Sequence, residues 1–199
     1  MSLIPVTVPT ARPISLDEVK LHVRIDSAVE DSLVDDLIRG AVEELEGERG
    51  WLSCALLTQT WDLVLDRFPA TGDELYVGAP APGFRVPLPP LQSIGSIKYL
   101  DGAGVQQTLD PTTYLVDIKS RPGRVILAPG KAWPSIGVGY PNAVEVRFVA
   151  GYGNAAAVPD TIRTWLKEAV AYKYMHREAP VLPASFFWQI ADYRAAWAF

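Results

Sequence analysis

The sequence predicts an α+β fold, in which a helical layer from the N- and C-terminal segments carries an inserted, mostly antiparallel β domain. Three observations lead there. Apolar residues recur at three-and-four spacing only toward the two ends of the chain. Short runs rich in β-forming residues fill the middle. Proline and glycine concentrate between residues 69 and 159, whereas residues 14 to 49 hold no proline and only Gly40 and Gly47. With no long helical pattern between the β runs, the strands are expected to pair antiparallel. The expected layout is an extended arm over 1–13, helices over 14–50, a β-rich insertion over 51–157, and a closing helix with an aromatic tail over 158–199.

In the arm, Pro5, Pro9 and Pro13 block a helix while Val6, Thr7 and Val8 favour extension. Ser15-Leu16-Asp17-Glu18 is a capping box, with Ile14 and Val19 placed for a hydrophobic staple, and predicts a helix from Leu16 to about Val23. A second box, Ser27-Ala28-Val29-Glu30, is expected to open a longer helix whose apolar stripe is Leu33, Val34, Leu37, Ile38, Ala41, Val42 and Leu45. Strands are predicted at Thr60 to Asp66, Ile97 to Leu100, Tyr114 to Val116, Arg124 to Leu127 and Val144 to Val149. Asp101-Gly102-Ala103-Gly104 reads as a hairpin and Arg121-Pro122-Gly123 as a turn. Gly78 to Pro90 has the composition of a linker-like loop. Pro159 suits the first turn of the closing helix, with Ile162, Trp165, Leu166, Ala169, Val170 and Tyr172 to Met175 on its apolar face and an end expected near Arg177 to Ala179.

The chain has 199 residues, of which 49% are hydrophobic, with a mean hydropathy of +0.11, enough to bury a real core. Eighteen Lys and Arg against 23 Asp and Glu give a net charge of −5 and a pI near 5.0, which argues against a basic nucleic-acid binder. The acidity sits in the first quarter, where residues 1 to 50 hold 11 acids and 5 bases. A lone cysteine, Cys54, allows neither an internal disulfide nor a cysteine-based zinc site. No apolar run approaches the ~18 residues of a membrane span, and the N-terminus lacks the pattern of a secretory signal. A soluble protein of a reducing compartment, not associated with a membrane, is the expectation.

No catalytic motif stands out. His22 and His176 lie on predicted helices without a partner implied by spacing, and Cys54 sits in an apolar run, so all three read as structural. Gly151-Tyr152-Gly153-Asn154-Ala155-Ala156 fits the spacing of a dinucleotide-binding turn, but its helix begins only near Pro159 and no further strand follows, so it reads as a loop. No cofactor and no metal are predicted, and a hydrolase with Asp62 or Asp66 as base lacks an identifiable oxyanion donor. The alternative function is a monomeric β-rich ligand-binding module, with Trp61, Tyr76, Phe84, Trp133 and Tyr140 as a stacking surface for carbohydrate.

The order of segments resembles the head-tail connector, or adaptor, proteins of long-tailed double-stranded DNA phages and gene transfer agents. The resemblance covers nearly the whole chain. It is carried by Pro13 to Lys20 with His22 to Asp26, by Thr58-Gln59-Thr60-Trp61-Asp62-Leu63 through Arg67-Phe68-Pro69, and by Leu88-Pro89-Pro90-Leu91-Gln92-Ser93-Ile94. Tyr99 to Gly102, Tyr114 to Asp117, Pro122 to Val125, Trp133-Pro134, Val146 to Phe148, Ala150 to Gly153, Val158-Pro159 and Tyr193-Arg194 continue it. The resemblance implies a non-enzymatic neck subunit that forms a ring, commonly of twelve copies, at the head-tail junction of a virion or gene transfer agent particle, made in the bacterial host cytoplasm. Its implied partners are further copies of itself, the portal protein above, a stopper or tail terminator below, and double-stranded DNA that passes through the lumen without specific binding.

Two candidate surfaces follow. The tail residues Phe186, Phe187, Trp188, Tyr193, Arg194, Trp197 and Phe199 would dock on the portal, since similar proteins dock through a C-terminal segment and so many aromatics exceed what one short helix hides. Asp31, Asp35, Asp36, Glu43 and Glu44 would line the channel, where one sign of charge repeated around a ring repels DNA and keeps it mobile. Simpler relatives are mainly helical, so the role of the β insertion is left open by the resemblance.

Overall fold

The computed structural model describes residues 1–137, 139–178 and 181–195. The described chain is α+β and divides into two compact units, one of residues 9–57 and 152–199, the other of residues 1–8 and 58–151. The helical unit draws on both ends of the chain and the β unit on the middle, but residues 51–57 and 152–157, expected in the β insertion, belong to the helical unit, where Leu52, Cys54, Leu56 and Leu57 are buried in its core. The first eight residues belong to the β unit: within the stretch expected as one arm, Ser2–Thr7 form strand β1.

In the helical unit, α1 (Leu16–Val23) starts on the predicted box: the Glu18 amide donates to Ser15 Oγ at 3.1 Å and the Ser15 amide donates to the Glu18 carboxylate at 2.8 Å. Ile14 and Val19 on either side of the cap are buried in the unit's core. The second box does not form. Ser27 Oγ instead accepts from the Val29 amide at 3.1 Å, a local turn, and α2 (Asp31–Leu45) begins on Glu30, which makes no side-chain cap. A distant pair outcompetes the local cap, since the Glu30 carboxylate accepts from the Tyr174 hydroxyl and from Arg177 at 2.7 Å.

Val34, Ile38, Ala41 and Leu45 of α2 face Ile162, Trp165, Leu166, Ala169 and Val170 of α3 (Asp160–Met175) across the core, with Leu52, Cys54 and Leu56 from the connecting loop. Pro159 stands at the N-cap of α3, and His176, whose backbone leaves the helical region at φ −114° and ψ 54°, closes it one residue short of the expected end; Met175, expected on the apolar face, is exposed there. Gly50 permits the tight loop after α2: a Cβ there would lie 2.2 Å from the Glu46 carbonyl oxygen.

In the β unit, a five-stranded antiparallel sheet has the order β1-β2-β9-β5-β6, where β2 is Gln59–Leu65, β5 Leu91–Leu100, β6 Gln106–Thr108 and β9 Val144–Ala150. Its centre obeys period-two alternation, with Val144, Val146, Phe148 and Ala150 of β9 all buried. Opposite residues Asp62 and Arg147 form a two-pronged ion pair across β2 and β9 at 2.8 and 2.7 Å. The sequence showed only the last third of β5, because register shifts at 91–93 and 94–96 break the alternation by which strands are recognised.

A second, four-stranded antiparallel sheet has the order β3-β4-β8-β7, made of Tyr76–Val77, Gly83–Arg85, Arg124–Leu127 and Tyr114–Asp117 for β3, β4, β8 and β7. Two of these strands were not expected. The proline-rich stretch around β4 is no linker: Phe84, Val86 and Leu88 are buried, and Gly83 lets β4 close on β8, where a Cβ would meet the Val125 carbonyl oxygen at 2.3 Å. The predicted hairpin forms, with Asp101 Oδ1 accepting from the Ala103 and Val105 amides and Gly104 at φ +77°. No helix among the described residues is long and apolar enough to cross a membrane.

Candidate functional site

The residues with potential chemistry are not gathered. His22 is exposed at the end of α1, and His176 is exposed with its ring stacked on Tyr172 at 4.1 Å. Cys54 is buried in the helical core. Asp62 is buried against Arg147, while Asp66 is exposed and accepts from the Asn142 amide at 2.9 Å. Among the described residues no three His, Cys, Asp or Glu side chains come together in a way that could hold a metal ion. The 151–156 stretch is a loop, in which Asn154 caps a single 3-10 turn over Ala155–Ala157 before α3 begins.

The aromatic surface proposed for a carbohydrate-binding module is corrected by the packing. Phe84 is fully buried, and Trp133 stacks face to face on Phe68 at 4.7 Å with Phe84 at 5.8 Å, so these rings build the interior of the β unit. Only Tyr140 of the five is exposed, while Trp61 and Tyr76 are half-buried.

The acidic side chains of α2 occupy different faces. At about 100° per residue, Asp36 and Glu43 project within about 20° of each other, opposite the buried stripe. Asp31, Asp35 and Glu44 lie on the flanks, and each is taken up by a cation: Lys20 holds Asp31 at 2.6 Å, Arg12 holds Asp35, and Lys173 of α3 holds Glu44 at 2.6 Å. Asp36 pairs with Arg39 one turn on, and Glu43 has no charged partner among the described residues. Two further cations reach acids of the N-terminal segment, Arg163 of α3 to Glu18 and Arg177, just beyond α3, to Glu30. The Ser15 amide above all holds the Glu18 carboxyl below its usual range, and the Tyr174 hydroxyl with Arg177 does the same for Glu30. Sequence spacing reveals only the Arg39 contacts; the others join segments more than ten residues apart.

The aromatic tail is divided between core and surface. Phe186 and Phe187 pack on Trp165, whose Nε1 donates to the Phe186 carbonyl at 2.8 Å, and Phe187 lies 5.2 Å from the Trp51 ring. Tyr193 packs against the same core, Ile190 is completely buried, and the Ala195 amide donates to the Leu52 carbonyl at 3.0 Å. Arg194 lies over the Trp51 ring at 5.1 Å. Trp188, the last residue of α4 (Ala184–Trp188), instead stands 75% exposed. Trp197 and Phe199 lie outside the described residues.

Charge separates the units completely. The helical unit holds 15 Asp and Glu against 10 Lys and Arg and so carries the whole −5, whereas the β unit holds eight of each. The β unit also exposes apolar residues on two edge strands, at Ile4 and Val6 on either side of Pro5 in β1, and at Leu115 and Val116 of β7 and then at Ile118.

No protein-family model and no curated protein sequence matches the chain. Solved structures do. A chain from the neck of an empty gene transfer agent particle, computed with C6 symmetry, superposes with a TM-score of 0.76 at 22% identity, over 100% of this chain and 98% of that one. A chain from the virion of a native gene transfer agent particle superposes at 0.74 and 22%, and one from the neck of a native particle, computed with C12 symmetry, at 0.71 and 21%, both with the same coverage. The likeness takes in the β unit as well as the helices, so this chain has, from end to end, the fold of a chain found in gene transfer agent particles.

Proposed function

We propose that the chain is a head-tail connector subunit of a phage or gene transfer agent particle, a structural protein without enzymatic activity. It assembles as a ring of twelve copies beneath the portal, at the head-tail junction, and joins the head to the next neck or tail component, a stopper or tail terminator. The observation that carries this reading is the end-to-end superposition on chains of gene transfer agent particles, two of them from necks computed with C6 and C12 symmetry. Synthesis in the host cytoplasm and incorporation into the particle follow from that role.

The charge division supports a lumen for DNA. A ring of helical units, each carrying −5, sets up a field that repels a polyanion and keeps it sliding. Asp36 and Glu43 are the acids offered to that lumen, while Asp31, Asp35 and Glu44 are spent largely on ion pairs that hold the unit together. In the tail, Phe186, Phe187 and Tyr193 fasten the segment to its own core while Trp188 is exposed; Trp188, Arg194 and the residues Trp197 and Phe199 are the ones proposed to meet the portal.

Binding of the full-length chain and of Trp188→Ala to isolated portal rings, with bound copies counted by electron microscopy, tests the reading. A full ring formed by the parent chain and lost or thinned in the variant supports it. Absence of any ring on the portal with the parent chain rejects it.

A further inference from the structure

The β unit presents four sheet edges, and three of them are blunted. On β1, Pro5 lacks an amide donor and the register slips between Pro5 and Thr7. The β6 edge is three residues long with every side chain polar and exposed, and β3 is only two residues long.

The β7 edge has none of these devices. Tyr114–Asp117 contains no proline and pairs with β8 in unbroken register, and no strand among the described residues lies along its other side. Leu115 and Val116, on opposite faces, are 51% and 38% exposed, and Ile118 just beyond is 50% exposed. The one acid at this edge is turned back into its own unit: Asp117 accepts from Ser120 Oγ at 2.6 Å and from Arg124 Nε at 3.0 Å. Such an edge offers unpaired backbone groups and apolar side chains together, the combination that receives an added strand.

We propose that the outer edge of β7 is covered by a second copy of this chain, as the contact between neighbours in the ring. The inference rests on the ring assembly proposed above. Charge selects the occupant. Helical units carrying −5 each repel one another, whereas β units with eight acids and eight bases approach without that cost. A ring of identical copies needs a contact between two different patches, which an edge strand meeting another part of the neighbour supplies.

The test places the photoreactive residue p-benzoylphenylalanine at position 118, in place of Ile118, in the full-length chain, and irradiates purified particles that contain it. Adducts at twice and higher multiples of the chain's own mass, with both halves mapping to this sequence, are the expected result. Adducts only to a protein of different sequence, or no adduct at all, overturn the proposal while leaving the neck assignment intact. Absence of the chain from purified particles removes the neck assignment and the proposal with it. As a second readout, the double variant Leu115→Lys, Val116→Lys changes only exposed side chains; it is expected to fold, by circular dichroism, and to cut the yield of tailed particles about tenfold. Folded double variant with an undiminished yield also overturns the proposal.

Discussion

The helical unit and the β unit each bury a core by joining sequence-distant segments, and they differ in how they hold charge. In the helical unit Arg163 and Lys173 of α3 reach back to Glu18 and Glu44, and Arg177 just beyond it reaches Glu30. The β unit likewise pairs distant strands, β1 with β2, β2 with β9 and β9 with β5, and its ion pairs, Asp62 with Arg147 and Asp117 with Arg124, lock strands rather than helices. The first unit keeps the whole net charge at its surface and the second keeps none. In the ring proposed above, that division would let one unit face DNA and the other face neighbouring copies.

The largest effects expected are on the two cores. Trp165→Ala removes a fully buried ring and its bond to the Phe186 carbonyl, and should destabilise the helical unit by about 3–5 kcal/mol in urea titrations. If stability is organised by unit, strand signals from the β unit should persist after the helical signal has melted; simultaneous loss of both would show one cooperative body. Next come the close approaches. Gly50→Ala and Gly83→Ala each drive a methyl group into a backbone carbonyl, and each should cost about 1–3 kcal/mol, seen as a lowered Tm.

Arg147→Ala leaves the buried Asp62 carboxylate without its two-pronged partner and should lower the Tm, whereas the paired change to Asp62→Asn with Arg147→Gln should recover part of the loss. Trp188→Ala sharpens the comparison from the other side: a 75% exposed ring should change stability by less than about 0.5 kcal/mol yet weaken portal binding.

The smallest effect concerns acid. Ser120 and Arg124 hold the Asp117 carboxyl well below the usual carboxylate range. A group whose pKa is depressed by folding contributes stability that is full above its unfolded pKa, near 3.9, and is lost as the pH falls through the folded value. Asp117→Asn should therefore flatten the acid arm of the stability profile below about pH 4 and leave the profile from pH 6 to 8 unchanged in shape.

The helical unit was legible where signals are local. The Ser15 box marked the start of α1 to the residue, and the three-and-four stripes named the buried faces of α2 and α3. Where a local signal had a distant competitor it failed, as at Ser27, where Glu30 is drawn to Tyr174 and Arg177. In the β unit, regular strands such as β9 could be read, but β5 is bulged, and β3 and β4 are too short to show a period. Aromatic residues were the least legible: composition counts rings but does not say that Phe84 and Trp133 face inward while Trp188 faces out. The surfaces likewise needed the fold, since the five acids all belong to the one helix α2 yet only Asp36 and Glu43 share the outward face.

The most direct test of the central claim is a cryo-electron microscopy reconstruction of the neck of particles that contain this chain, without imposed symmetry. The account predicts twelve copies in one ring beneath the portal, with Asp36 and Glu43 directed at the DNA channel. A neck without the chain contradicts the connector assignment, and a ring in which both acids point away from the channel contradicts the division of tasks between the two units.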